Sequence, residues 1–113
     1  MPRDANPSGD IFGGWVLSQM DIAAGMFASQ LSRGRVATVA IDAMSFQLPV
    51  YVGDILCVYT DLLGIGTTSM KIHVEAWVLR ERVGERVKVT EGIFTFVAID
   101  ENRKPRTVPK ESR

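Results

Sequence analysis

A single cysteine, Cys57, stands in 113 residues, which excludes an intramolecular disulfide and a cysteine-ligated zinc site and fits a reducing compartment. A single histidine, His73, leaves no partner set for a Ser-His-Asp triad, and no G-x-S-x-G is present. No apolar run approaches the ~20 residues of a membrane span, and the opening MPRDANPSGD has no hydrophobic signal core. Lys and Arg number 13 against 13 Asp and Glu, with no block of like charge before the closing RKPRTVPKESR, so a general nucleic-acid surface is poorly supported. No glycine-rich segment matches a P-loop or dinucleotide fingerprint, and the scattered acids lack metal-ligand spacing, so neither a metal nor a nucleotide cofactor is implied. The expectation is one soluble, cytoplasmic domain over residues 1–113, without repeats, with an extended tail from about residue 103.

What is present is one helical pattern followed by strand patterns. The turn formers of DANPSGD lead into a helix expected to start at Gly13 or Gly14 and run for about 18 residues. At 100° per residue Val16, Met20, Ala23, Phe27 and Leu31 form its core stripe, and Gly34 in SRGR is the expected C-cap. RVATVAIDAMSFQLPV reads as a strand stopped at Pro49, VGD as a turn, and ILCVYTDLLGIG as the next strand. From Met70 the alternation is clean: Met70, Ile72, Val74, Ala76 and Val78 on one face, Lys71, His73, Glu75 and Trp77 on the other. RVKVTEGIFTFVAID is the last strand, with a bulge expected at Gly92. Strands this long must twist and curve, and the helix carries Trp15, Leu17, Ile22 and Met26 off its core stripe. The fold class is therefore α+β, a curled antiparallel sheet around one helix, covered further by a second subunit.

Asp21 is the anomaly of that helix, a lone carboxylate among Trp, Val, Leu, Met, Ile and Phe. Gly14, Ser18, Asp21, Gly25, Ser29 and Ser32 follow spacings of 4, 3, 4, 4 and 3 and share one azimuth about 120° from the core stripe. Two readings stand side by side. One is a solvated face; the other is a groove of small residues that another chain or a ligand approaches, with Asp21 partly desolvated as a general base needs. In NPSGDIFGG, Asn6 offers an amide, and Gly13 and Gly14 would leave backbone N–H groups open to a carbonyl oxygen gaining negative charge. The competing reading is a flexible turn with Asp10 as the cap or first-turn acid. His73, on the polar face of a strand, reads as structural, and Cys57 as a small apolar residue.

The block N-x-x-G-D-I-F-G-G-W…S-Q-M-D, with GRVATVAIDAMSFQLPVYVGDIL, GTTSMKIHVEAWV, EGIFTFVAID and KPRTVP, resembles the hotdog-fold acyl-CoA thioesterases of the bacterial YciA type, relatives of the brain acyl-CoA hydrolase. The likeness runs in order through nearly the whole chain. It implies hydrolysis of acyl-CoA to fatty acid and CoA in a site shared between two subunits, with Asp21 as general base or nucleophile. The helix-start amides of Gly13 and Gly14 would polarise the thioester carbonyl, with Asn6 assisting or placing the water. It implies a dimer of hotdogs, three to a hexamer, with CoA lying across subunits and no cofactor beyond CoA as part of the substrate. Membrane insertion and nucleic-acid partners are not implied. A further β-strand ahead of the MP-x-D-x-N segment is also usual in the family, and the sequence here starts at that segment.

For CoA the candidate contacts are Arg33 and Arg35 after the helix, Thr67, Thr68 and Ser69 at a hairpin, and Arg106 in the tail. Each alone is as well explained as solvated surface. A hotdog dehydratase would need a histidine facing the helix acid, which His73 in its mid-sheet strand does not supply. A non-catalytic acyl-CoA-binding protein is the alternative from another class, and release of free thiol separates the two.

Overall fold

Four strands of 11 to 13 residues carry the fold in the computed structural model, which describes residues 10–11, 13–79 and 84–109. In chain order the elements are β1 (Asp10–Ile11), α1 (Gly13–Ser32), β2 (Val36–Phe46), β3 (Val50–Tyr51), β4 (Ile55–Ile65), β5 (Ser69–Leu79) and β6 (Arg86–Ala98). The antiparallel sheet runs β2-β6-β5-β4, and α1 packs against all four of its strands. The two-residue strands β1 and β3 pair antiparallel beside the start of the helix, a contact the sequence pattern did not announce.

The alternation from Met70 is realised: Met70, Ile72, Val74, Ala76 and Val78 are each fully buried, and His73, Glu75 and Trp77 are half-buried on the opposite face. From β6 come Phe94, Phe96 and Ala98, and from α1 Val16, Met20, Ala24 and Ala28, which close the core. Removing these side chains from water supplies the main driving force, at about 25 cal/mol per Å² of apolar surface.

Three local expectations are corrected. The buried line of α1 is Val16, Met20, Ala24, Ala28 and Ser32, whereas Ala23, Phe27 and Leu31 are only partly buried. Steps of four residues advance about 40° each on a helix, so the contact line winds around α1 as the twisted sheet crosses it, and no straight stripe describes it. The left-handed residue after the helix is Arg33 (φ 58), with Gly34 one position further, its N–H donating to the Ser29 carbonyl at 3.1 Å. That six-to-one bond is the Schellman closure, moved by one residue from its expected site.

The phase change of β6 falls at Val89 and Thr90, both buried, and not at Gly92. Ala76 pairs with Thr90 and Trp77 with Lys88, leaving Val89 as the extra residue. The Val89 carbonyl accepts from the amides of Gln47 (2.8 Å) and Leu48 (3.3 Å), and the Thr90 hydroxyl donates to the Ser45 carbonyl at 2.6 Å, so this bulge fastens the end of β2. Gly92 lies instead beneath Met44, whose thioether occupies the space a β-carbon would need.

Candidate active site

Asp21 is the one charged side chain of α1, half-buried, and its Oδ1 accepts a 2.7 Å hydrogen bond from the Thr38 hydroxyl on β2. The register explains the meeting. Thr38 lies opposite Phe96, which is 1% exposed and faces the helix, and cross-strand partners project from the same face of a sheet. One turn beyond Asp21, a β-carbon on Gly25 would lie 3.5 Å from the Phe96 ring. The helix thus crosses this strand pair with Asp21 against Thr38 and Gly25 against Phe96, and the small, fully buried Ala24 and Ala28 let it lie close.

The azimuth expected to carry Gly14 through Ser32 is not one surface. Gly14 and Ser18 are exposed, Asp21, Gly25 and Ser29 half-buried, and Ser32 completely buried, because the winding contact line reaches that azimuth only at the end of the helix. Sequence reasoning passed over Thr38 because threonine is an ordinary residue in a strand and nothing local marks its partner.

At the other end of α1, Gly13 and Gly14 are exposed and no acidic residue stands in the first turn. A β-carbon on Gly14 would meet nothing within 4 Å, while one on Gly13 would lie 3.3 Å from the ring of Phe46. First-turn amides have no intrahelical acceptor, so this open helix start can present donors to an oxyanion. The Trp15 indole N–H, next in the chain, is buried and finds no acceptor among the described residues. Asp10, weighed as a cap, lies in β1, and Asn6 is outside the described residues. Seven or eight residues separate the glycines from Asp21, a rise of about 10–12 Å along the helix. Both cannot contact one reacting carbonyl within a single chain, since an oxyanion donor must approach to about 3 Å.

The candidate CoA residues gather at the C-terminal end of α1. Arg35 accepts at its carbonyl from the Ile99 amide (3.0 Å), Thr68 from the Ala98 amide (2.8 Å) and Thr67 from the Val108 amide (2.8 Å), while the Ser69 carbonyl closes the hairpin with Gly66 (2.8 Å). Arg33, Arg35 and Thr67 are exposed and Thr68 and Ser69 half-buried. Arg106 is placed differently from the others. Its guanidinium donates to the carbonyls of Ile99 (2.8 Å), Ser32 (2.9 Å) and Arg35 (3.2 Å) and to the Ser32 hydroxyl (3.2 Å). It braces the helix end, satisfying carbonyls that α1 leaves without partners.

A second polar group lies on the outer face of the sheet, away from α1. His73 Nε2 is 2.8 Å from Glu91 Oε1, and Lys88 Nζ donates to Glu91 Oε2 at 2.9 Å and lies 3.8 Å from Glu75. The Lys88 hydrogen bond, aided by that of His73, lowers the Glu91 carboxyl below its usual range, and the Glu91 bond raises the Lys88 ammonium. His73, Glu75 and Glu91 bring ligand atoms within 4.8 Å of one another, and the Lys88 ammonium already pairs with both carboxylates. A cleft of about 340 Å³ on this face is lined by Tyr59, Glu75, Trp77 and Arg86, with the Arg86 guanidinium 5.7 Å from the centre of the Tyr59 ring.

Among the described residues no helix is long and apolar enough to cross a membrane. The family model "Thioesterase superfamily" matches residues 8–85. An acyl-CoA thioester hydrolase named YciA from Escherichia coli K12 is 47% identical over 98% of this chain and 86% of its own length. An uncharacterized acyl-CoA thioester hydrolase from Haemophilus influenzae is 49% identical over 99% of this chain and 75% of its own. Among solved structures, the hexameric thioesterase y2039 of Yersinia pestis superposes with a TM-score of 0.93 at 46% identity, covering 97% of this chain and 90% of that one. HI0827, a hexameric broad specificity acyl-coenzyme A thioesterase in an aspartate-to-alanine mutant form, gives 0.93 at 48% identity, covering 98% of this chain and 82% of that one. One helix against a curled antiparallel sheet, a helix carboxylate facing that sheet and these likenesses agree, and the chain belongs to the thioesterase superfamily, with its hotdog fold.

Proposed function

We propose that this protein is an acyl-CoA thioester hydrolase, converting acyl-CoA and water to a fatty acid and CoA in the cytoplasm. The observation that carries the reading is Asp21: the only charge on α1, half-buried, oriented by a strand hydroxyl in a chain of the thioesterase superfamily. The names of the relatives supply the acyl-CoA.

The helix-start amides of Gly13 and Gly14, with Asn6, polarise the thioester carbonyl, whose oxygen gains negative charge as the tetrahedral intermediate forms. Asp21 either takes the proton of the attacking water or attacks the carbonyl carbon itself, forming a mixed anhydride that water then hydrolyses. In both routes the electron pair of the C–S bond leaves with sulfur, and CoA departs as the thiol. The spacing of about 10–12 Å along one helix supports a site whose two halves come from different subunits. Exposed Ile22 and Met26 on α1 and Val39 and Ile41 on the edge strand β2 are the apolar surface for that association, in a dimer of hotdogs that assembles three to a hexamer.

Arg33, Arg35, Thr67, Thr68 and Ser69 form the CoA rim, and Arg106 holds the helix end beneath it. From Asp21 to Arg33 the helix rises about 18 Å, a span that an extended pantetheine arm can bridge. The test is thiol release from acyl-CoA substrates of graded chain length. Release that saturates with substrate supports the reading and sizes the acyl pocket. Tight acyl-CoA binding without release would replace it with a non-catalytic acyl-CoA-binding protein.

A further inference from the structure

We propose that Phe46 is the specificity-determining contact for the substrate's acyl chain, so that acyl groups of several methylenes are favoured over acetyl. The proposal rests on the thioester-hydrolase reading and deepens it by naming the substrate class. Three observations carry it. Phe46, the last residue of β2, stands over the helix start: a β-carbon on Gly13 would lie 3.3 Å from the ring Cζ, 3.5 Å from Cε1 and 3.6 Å from Cε2. Its cross-strand partner Thr90 is fully buried, so the ring belongs to the sheet face that packs on α1, yet Phe46 itself is 50% exposed. The backbone around it is tied down. The Ser45 carbonyl accepts from the Thr90 hydroxyl at 2.6 Å, and the amides of Gln47 and Leu48 donate to the Val89 carbonyl at 2.8 and 3.3 Å, so the β6 bulge fastens the chain on both sides of the ring.

Position selects what covers the open half of that ring. With the thioester carbonyl oxygen on the Gly13 and Gly14 amides, the pantetheine arm leads from the sulfur towards the CoA rim, and the acyl chain leaves the carbonyl carbon on the side opposite to sulfur. The apolar surface beside those amides is the Phe46 ring, whose edge meets the helix at Gly13 itself. An acetyl group ends at the carbonyl and gains nothing from the ring. A hexanoyl group lays two or three methylenes against it, and every two methylenes taken out of water are worth about tenfold in affinity. Glycine at position 13 lets the ring come this close while the amide stays open to the carbonyl oxygen.

The experiment is kcat/KM for thiol release from acetyl-CoA and from hexanoyl-CoA by the wild type, Phe46→Ala and Phe46→Leu, with mass in solution measured beside each. Phe46→Ala is expected to lower the hexanoyl-to-acetyl ratio by about tenfold, and Phe46→Leu, which keeps most of the apolar surface, to hold it within about threefold of the wild type. An unchanged ratio in Phe46→Ala overturns the proposal even if both rates fall, because a ring that only braces the helix start serves every substrate alike. A ratio that rises overturns it as well, since the ring would then be a stop that excludes long chains. Should Phe46→Ala fail to assemble, Phe46→Val takes its place, and a ratio for Phe46→Val no lower than that for Phe46→Leu overturns the proposal. Absence of thiol release from every acyl-CoA by the wild type would instead fell the underlying thioester-hydrolase reading, which keeps the two failures distinct.

Discussion

Arg106 reaches back to Ser32, 74 positions earlier, and donates to both its carbonyl oxygen (2.9 Å) and its buried hydroxyl (3.2 Å). The tail of the chain thereby caps the helix that carries Asp21. Gly34 makes room for this brace: a β-carbon there would lie 3.1 Å from the Arg106 Cζ and closer still to Nη2.

Arg106→Met is therefore expected to lower stability by about 2–4 kcal/mol, because several helix-end carbonyls and the Ser32 hydroxyl lose their donor together. Gly34→Ala should cost about 1 kcal/mol or more at an exposed position where alanine is normally harmless. Chemical denaturation measures both, and a Gly34→Ala variant as stable as the wild type would show that the brace yields without cost.

Asp21→Asn keeps the shape of the side chain but can neither accept a proton nor attack. Turnover is expected to fall by about 10³-fold or more with assembly unchanged. Asn6→Ala should cost less, since the helix-start amides remain to polarise the carbonyl. Rates from thiol release, beside mass measurement in solution, check the pair.

At Gly25 the expected outcome depends on size. Its β-carbon would make an ordinary 3.5 Å contact with Phe96, so Gly25→Ala should be neutral or stabilising by up to about 1 kcal/mol through helix propensity. Gly25→Leu adds bulk against Phe96 and beside Asp21, and should lose activity together with oligomeric mass. A fully active, correctly sized Gly25→Leu would show that this part of α1 faces water in the assembly.

The outer-face network predicts how stability responds to pH. Glu91 titrates below its ordinary 4.5 when folded, so its contribution is present above pH 4.5 and disappears as pH falls through the lowered value. Lys88 titrates above its ordinary 10.5, so its contribution is present below pH 10.5 and disappears as pH rises through the raised value. In denaturation profiles against pH, Lys88→Met should flatten both limbs. An unchanged acid limb would mean that His73 alone holds the Glu91 carboxylate.

Some of this protein was legible in the sequence because it depends on neighbours along the chain. The period-two pattern from Met70 to Val78 marks a strand with one buried face whatever packs on it, and the change to a glycine-started apolar helix at Gly13 is equally local. Asp21 could be singled out because a lone carboxylate in an apolar helix is anomalous without any knowledge of its surroundings. What the sequence could not contain was where the curled sheet crosses the helix. That crossing shifted the buried line from Ala23, Phe27 and Leu31 to Ala24, Ala28 and Ser32, since helical azimuth is an intrinsic property and contact is a relation between two elements. The same holds for Arg33 taking the left-handed turn ahead of Gly34, which left the glycine free for Arg106. It holds for the bulge at Val89, set by the end of β2, and for Thr38, whose hydroxyl acquires a role only because β6 fixes its face and α1 brings Asp21 above it. Residue type and spacing determined which elements form and which side chain could do chemistry; long-range register and crossing geometry decided what each of them touches.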